Sequence, residues 1–391
     1  MLFKRLFWGA CTLLPLGALG LDRADFTHEE IENGGALKRL ARESLGNIQH
    51  EHRRSQCRLE DAQVRKEWRE LPQTARLEFI GAIQCLQDTP PTISADLMEI
   101  YPGVKSRYDE FLAVHIQLVK HIHFTADFLA WHRYFIHLFE QDLKSKCNFT
   151  GSLPYWEWGF DAAAPQDSPI FNGEPDSFGS NGEFIPNREP VYWDAIKDYV
   201  PPGTGGGCIY QGPFSNYSID MGPINTPGLT PVDYDFAYNP HCVTRDLLPS
   251  ITSISLAFRN TTDLILSYDT IEWFQAVMQK DPRYPLPHVP HGVHRAGHVG
   301  TGRVMADVAG SPGDPVFWIH HAQIDRVWTI WQGLDPETRR NAIWGTHTIW
   351  NDPPSPEMSL DEMLGYFFVG EDVMFGDVMD TLSGPFCYYY T

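Results

Sequence analysis

Eleven of the sixteen histidines of this chain fall in two short windows, five between residues 115 and 137 and six between 288 and 321. The first window, HIQLVKHIHFTADFLAWHRYFIHLFE, holds His115, His123 and His132. The second, HGVHRAGHVGTGRVMADVAGSPGDPVFWIHH, holds His294, His298 and the pair His320-His321. His294 and His298 are four residues apart, so on a helix their imidazoles share a face and can hold one ion. His132 and His321 sit in strongly apolar stretches, beside Trp131 and near Phe317 and Trp318. A buried imidazole without a partner costs about 1–3 kcal/mol. A backbone carbonyl or a metal ion supplies that partner. For a lone buried histidine the satisfied core residue is the commoner outcome; two clusters in one chain favour metal.

The donor set restricts the metal. It offers imidazole without thiolate. Arg295 follows His294 where a zinc-protease HExxH motif has Glu, and the Glu-x-x-His pairs of di-iron bundles are absent. Three imidazoles per ion suit copper or zinc, and copper binds such sites more tightly. Two triads imply two ions, which together can pass two electrons to dioxygen.

Helices must position these residues. Ala75, Phe79, Ile80 and Ile83 fall at helical spacing within an amphipathic stretch from about 27 to 88, closed by Pro90-Pro91. The pattern predicts further helices over 104–120, 130–144, 288–299 and 316–332. Between about 160 and 290 Gly, Pro, Asn and Ser dominate, which reads as a long irregular insertion with one helix near 262–279. The tail after 351 is mixed and carries short strands.

The motifs FLAWHRYFIHLFE, from Phe128, and DPVFWIHHAQIDRVWTIWQ, from Asp314, resemble the two copper motifs of the type 3 copper family of tyrosinases, catechol oxidases and hemocyanins, and are most similar to those of short secreted fungal polyphenol oxidases. The resemblance spans most of 105–335. It implies a mainly α fold: an antiparallel four-helix bundle holding a dinuclear copper site, with long irregular loops and a few short strands. It implies His115, His123 and His132 on one copper, and His294, His298 and His321 on the other. His321 is preferred to His320 because the family ligand stands four residues before an Asp, here Asp325. That Asp is expected to accept the second ring N–H of a ligand histidine. Arg133 and Glu140 read as a structural ion-pair network, His121 and His137 as core, and His288 and His291 as entrance residues. The loop containing Val308 is expected to guide substrate, Phe317 to pack on a ligand ring, and Arg295 to favour acidic phenols.

Three departures from the family pattern stand out. His121 occupies the position of a Cys that many members cross-link to the second ligand of the first copper, so no thioether is expected. Members that hydroxylate monophenols often have Asn after the first histidine of the second copper and Glu about nine residues upstream of it; here Arg295 and Pro285 stand there. No C-terminal lid domain is expected. The function expected is therefore oxidation of o-diphenols, and of o-aminophenols by the same chelation, to o-quinones. The alternatives are a tyrosinase with monophenol hydroxylase activity, a tailoring oxidase of one biosynthetic phenol, a hemocyanin-like oxygen binder, and a zinc hydrolase on the same histidines.

Composition fits this reading. Of 391 residues, Met1 to Gly20 form a basic start and a short apolar run typical of a secretory signal, with an N-terminal anchor as the alternative. Residues 21–391 read as a single domain. The net charge of −20 repels nucleic acid and anionic membranes, so neither is expected as partner. Beyond Cys11, in the signal, remain Cys57, Cys85, Cys147, Cys208, Cys242 and Cys387, an even set that suggests disulfides of undetermined pairing. Sequons at Asn148, Asn216 and Asn260 predict surface glycosylation. Oligomeric state is not legible.

Overall fold

A computed structural model describes residues 21–51, 57–193, 198–286, 288 and 290–391. The expected signal segment, residues 1–20, lies outside them. Eight helices carry the argument: α1 (Gly35–Glu51), α2 (Gln73–Asp88), α3 (Arg107–Leu118), α4 (Phe128–Cys147), α5 (Phe258–Ser267), α6 (Ile271–Gln279), α7 (Val293–Thr301) and α8 (Val316–Leu334). The mainly α fold is as expected, and α3, α4, α7 and α8 form the bundle around the histidines. Aromatic rings knit it together. Trp318 of α8 lies flat on Phe139 of α4, with centroids 3.6 Å apart, and meets Phe111 of α3 edge-on at 5.7 Å. Such pairs add about 0.5–1.5 kcal/mol each beyond their buried area.

The helix ends follow local chemistry. At the start of α3, Ser106 and Asp109 form a reciprocal capping box. Helix α4 stops at Asn148, which adopts a left-handed backbone with φ 56°. Helix α7 is bracketed by Gly292 (φ 70°) and Gly302 (φ 75°). A Cβ on Gly292 would strike the carbonyl oxygens of Val277 and Met278, and one on Gly302 that of Asp246. Both ends of this short helix therefore press on neighbouring backbone, which only glycine permits.

The sequence pattern misplaces some boundaries. The amphipathic stretch 27–88 is interrupted between α1 and α2 by strand β1 (Gln63–Arg65) and a turn of 3₁₀-helix at Trp68–Glu70. The single helix expected near 262–279 is two, broken at Tyr268–Thr270, and a further short helix, Pro249–Ser255, precedes them. The rest of the insertion is largely loop, as expected, but it also carries short two-stranded ladders. It is anchored at the start of α8 by a buried bidentate pair, Arg245 and Asp314, with N–O distances of 2.8–3.0 Å.

Strand β2 (Tyr388–Tyr390) returns from the far end of the chain to pair in parallel with β1, Gln63 opposite Tyr388. A disulfide between Cys57 and Cys387 ties the same two segments. Cys85–Cys147 joins α2 to α4, and Cys208–Cys242 staples the insertion. All six cysteines among the described residues are paired. No helix among the described residues is long and apolar enough to cross a membrane.

Candidate metal centre

His115 comes from α3, His123 from the loop after it, His132 from α4, His294 and His298 from α7, and His320 and His321 from α8. Two donor groups result: His115, His123 and His132 in one, and His294, His298, His320 and His321 in the other. The ligand atoms within each lie within 4.8 Å of one another. The groups are contiguous: the rings of His132 and His321 stack with centroids 4.4 Å apart, and those of His123 and His294 lie 6.2 Å apart.

Hydrogen bonds fix most of the tautomers. The Nδ1 of His115 meets the Ala309 carbonyl at 2.8 Å, that of His123 the Val119 carbonyl at 3.0 Å, that of His132 the Phe128 carbonyl at 2.8 Å, and that of His298 the Met305 carbonyl at 2.9 Å. A carbonyl only accepts, so each Nδ1 carries the proton and each Nε2 keeps its lone pair. The Nε2 atoms of His115, His132 and His294 are buried without a hydrogen-bond partner. The Nε2 atoms of His298 and His321 face each other at 3.2 Å. No hydrogen bond fixes the His321 tautomer, since its Nδ1 is buried without a partner, and 3.2 Å is also the separation expected of two imidazoles each about 2.0 Å from one shared ion. Burial pushes His123 down to about 4 and His298 down to about 3, and holds His115, His132, His294 and His321 well below the usual imidazole range. Neutral imidazoles with inward lone pairs are what a metal ion requires, so these residues fit a pair of copper ions.

His320 differs. Its Nδ1 accepts the indole N–H of Trp158 at 3.1 Å. A neutral imidazole that accepts at Nδ1 has its proton on Nε2 and no lone pair left for an ion. Hydrogen bonding thus favours His321 over its neighbour. Trp158 was not legible as a site residue, since nothing in its spacing connects it to the histidines.

The surrounding candidates fall variously. Phe317 packs on His321 at 4.2 Å and on His115 at 5.3 Å, as expected. Val308 is half-buried in the loop whose Ala309 carbonyl holds His115. Arg295 is half-buried, directly after His294. His288 is exposed and His291 half-buried. His137 packs between Tyr134 and Phe386, and burial lowers it to about 4. His121 is not core: it is exposed, its ring bonded to the His347 carbonyl.

Asp325 also departs from expectation. Its Oδ1 accepts from Arg133 Nε at 2.5 Å, and its Oδ2 accepts from the hydroxyls of Tyr388 and Tyr390, each at 2.6 Å, with Arg65 at 3.5 Å. Both oxygens are thus committed to β2 and two arginines, while the rings of His115, His123, His132 and His298 bond backbone carbonyls instead. Arg133 and Glu140 do belong to one buried network, linked through Arg65, which reaches Glu140 at 2.5 Å. Arg65 and the terminal tyrosines were missed, because nothing local joins residues 65 and 390.

A family profile described as the common central domain of tyrosinase matches residues 105–334. The chain is 38% identical over 346 residues to Tyrosinase P of Aspergillus terreus, covering 85% of this chain and 93% of that protein. It is 35% identical over 355 residues to the N-acetyl-6-hydroxytryptophan oxidase ivoB of Emericella nidulans, covering 86% and 94% respectively. The structure is similar to that of a polyphenol oxidase from Thermothelomyces thermophila, with a TM-score of 0.85, 33% identity, and coverage of 91% of this chain and 98% of that one.

Proposed function

Because this chain belongs to the tyrosinase family of dinuclear copper oxidases, we propose that it oxidises o-diphenols to o-quinones, and o-aminophenols by the same chelation to o-quinone imines, with reduction of O2 to water. Two diphenols each lose two electrons and two protons, and one O2 takes up all four of each to give two waters. His115, His123 and His132 hold one ion, and His294, His298 and His321 the other. The single observation that carries the reading is the contiguity of two histidine triads, in which the Nε2 atoms of His115, His132 and His294 are buried without a hydrogen-bond partner.

The copper pair, when bound, supplies the electron transfer between phenol and O2. The chain supplies the rest. Backbone carbonyls of Ala309, Val119, Phe128 and Met305 lock four rings in the ligating tautomer. Phe317 covers His321 and His115 and keeps water from that side. Residues around Val308 and Arg295 border the approach to the second triad.

Diphenol oxidation is favoured over monophenol hydroxylation by Pro285 and Arg295, which stand where monophenol-hydroxylating members often have Glu and Asn. A tailoring role on one phenol is the second reading, supported by similarity to a protein named as an oxidase of a hydroxylated tryptophan derivative. We read the chain as exported. Three disulfides are expected of an oxidising compartment. Two of the three sequon asparagines, Asn148 and Asn216, are exposed, and Asn260 is half-buried.

The test is aerobic copper loading, metal analysis, and an oxygen-electrode screen of mono- and diphenols. Steady oxygen uptake with catechols supports the oxidase and rejects an oxygen carrier. Uptake with monophenols alone, without a diphenol primer, would move the assignment to tyrosinase. Retention of zinc without copper would end the copper reading.

A further inference from the structure

Arg303 follows Gly302 just beyond the end of α7, and its backbone is left-handed with φ 48°. A residue with a side chain keeps that conformation only where the surrounding structure enforces it. Here Gly302 presses on the Asp246 carbonyl, and the Val304 N–H donates to the Thr244 carbonyl at 3.4 Å. The guanidinium so placed has no partner. Arg303 makes no hydrogen bond or ion pair among the described residues, and its Nε is buried.

The acid beside it is already taken. Oδ1 of Asp246 accepts from Arg188 Nη2 and from the Gly205 N–H, each at 3.0 Å. Oδ2 accepts from the Gly203 N–H at 3.0 Å and from Arg188 Nη1. Arg188 in turn donates to the carbonyls of Gly203 and Gly205, each at 3.0 Å. One carboxylate thus stands between two arginines, and Arg188 occupies it. Burial holds the Arg303 guanidinium below its usual range; Asp246 draws it back up, and Arg188 pushes it further down.

Arg188, Asp246 and Arg303 line one cleft of about 350 Å³. Its walls are largely apolar. Val191 and Val200 stand opposite each other in a two-stranded ladder, and Pro190, Pro201 and Pro227 extend the surface they make. Glu189 also lines the cleft, but it is exposed, where solvent and salt screen its charge. Apolar walls with a few fixed polar groups, in this range of volume, are the usual make-up of a small-molecule site. None of the histidines lines the cleft. It backs onto the second triad through the chain itself: Met305, two residues after Arg303, is the one whose carbonyl holds His298.

We propose that this cleft binds a small organic carboxylate with an apolar body, the carboxylate on the Arg303 guanidinium and the body against the proline and valine walls. The ligand supplies the charge-assisted pair that Arg188 leaves Arg303 without. The site is distinct from the histidine centre, and the inference does not depend on the oxidase reading.

The test is calorimetric titration of the copper-loaded protein with para-bromobenzoate, and with para-bromobenzyl alcohol as the neutral counterpart. The acid is expected to bind, more weakly as salt is added, and the alcohol not to. Equal binding of the two, or binding of neither, overturns the inference. Arg303→Met is expected to weaken binding of the acid about tenfold, the size of one lost hydrogen bond between charged groups. Arg303→Lys recovers part of that loss. Unchanged affinity in Arg303→Met overturns the proposal. A measurement on wild type alone guards against a misfolded variant: in crystals soaked with the acid, the anomalous signal of bromine should lie in the cleft, and a signal only at the histidines overturns the assignment.

Discussion

The imidazoles of His132 and His321 lie parallel, 11° apart in plane and 4.4 Å between centroids, one from each triad and each on a different long helix. This contact makes the two donor sets one centre. It also makes the packing of α4 on α8 a condition for the chemistry.

His321 and His320 should respond oppositely to substitution. His321→Ala is expected to reduce copper from two ions per chain to one and bring catechol-driven oxygen uptake to background. His320→Gln keeps an acceptor for Trp158 and should retain both ions. Mass-spectrometric copper counts decide it; equal copper loss in the two variants would refute the assignment.

Asp325 should matter to folding rather than to metal affinity. Asp325→Ala leaves Arg133 and Arg65 buried without their shared carboxylate, an expected loss of about 3–5 kcal/mol. Tyr388→Phe removes one hydrogen bond to a charged group, about 1.5–3 kcal/mol. Urea unfolding measures both. If Asp325→Ala unfolds like wild type but binds copper 10- to 100-fold more weakly, the role given to this carboxylate is wrong.

Glu140 links stability to acid pH. Arg65 and then Lys144 overcome its burial and bring its carboxyl down to about 2 from the usual 4.5. A carboxyl depressed on folding stabilises above its unfolded pKa and loses that contribution as pH falls through the folded value. Glu140→Gln should therefore be less stable than wild type at neutral pH. The gap should close between about pH 4.5 and 2, read from urea midpoints at several pH values. A pH-independent gap would contradict the assignment.

Gly297 should tolerate no side chain. It lies between His294 and His298, and a Cβ there would overlap the His320 ring. Gly297→Ala is expected to displace that ring from Trp158 and lower copper occupancy of the second triad, with the first triad keeping its ion. Unchanged copper content would show that the ring can move aside.

Much of the centre was legible because its signals are local. His294 and His298 share one helix face, and apolar runs around His132 and His321 marked α4 and α8 within a few residues. The rest depends on contacts between distant segments. Asp325 looked like a partner for a ligand ring because its spacing from His321 is all that sequence displays; the hydroxyls that occupy it come from β2, beyond any periodicity. His121 looked like core within an apolar window, but it sits on a turn that points outward. The break between α5 and α6 carries no Gly or Pro to announce it. The cysteines were countable, while their pairing required the fold.

The pairing of β1 with β2 has a consequence for biosynthesis. Strand β1 emerges from the ribosome long before the strand that completes it and the tyrosines that cap Asp325. Cys57 and Cys387, 330 residues apart in sequence, cannot meet before then. Until β2 is made, Arg65, Arg133 and Asp325 lack their final partners, so the nascent chain closes its ionic centre only once that strand has emerged. Metal delivered before then would meet a half-built support, which places copper insertion after the synthesis of β2 in the order of maturation.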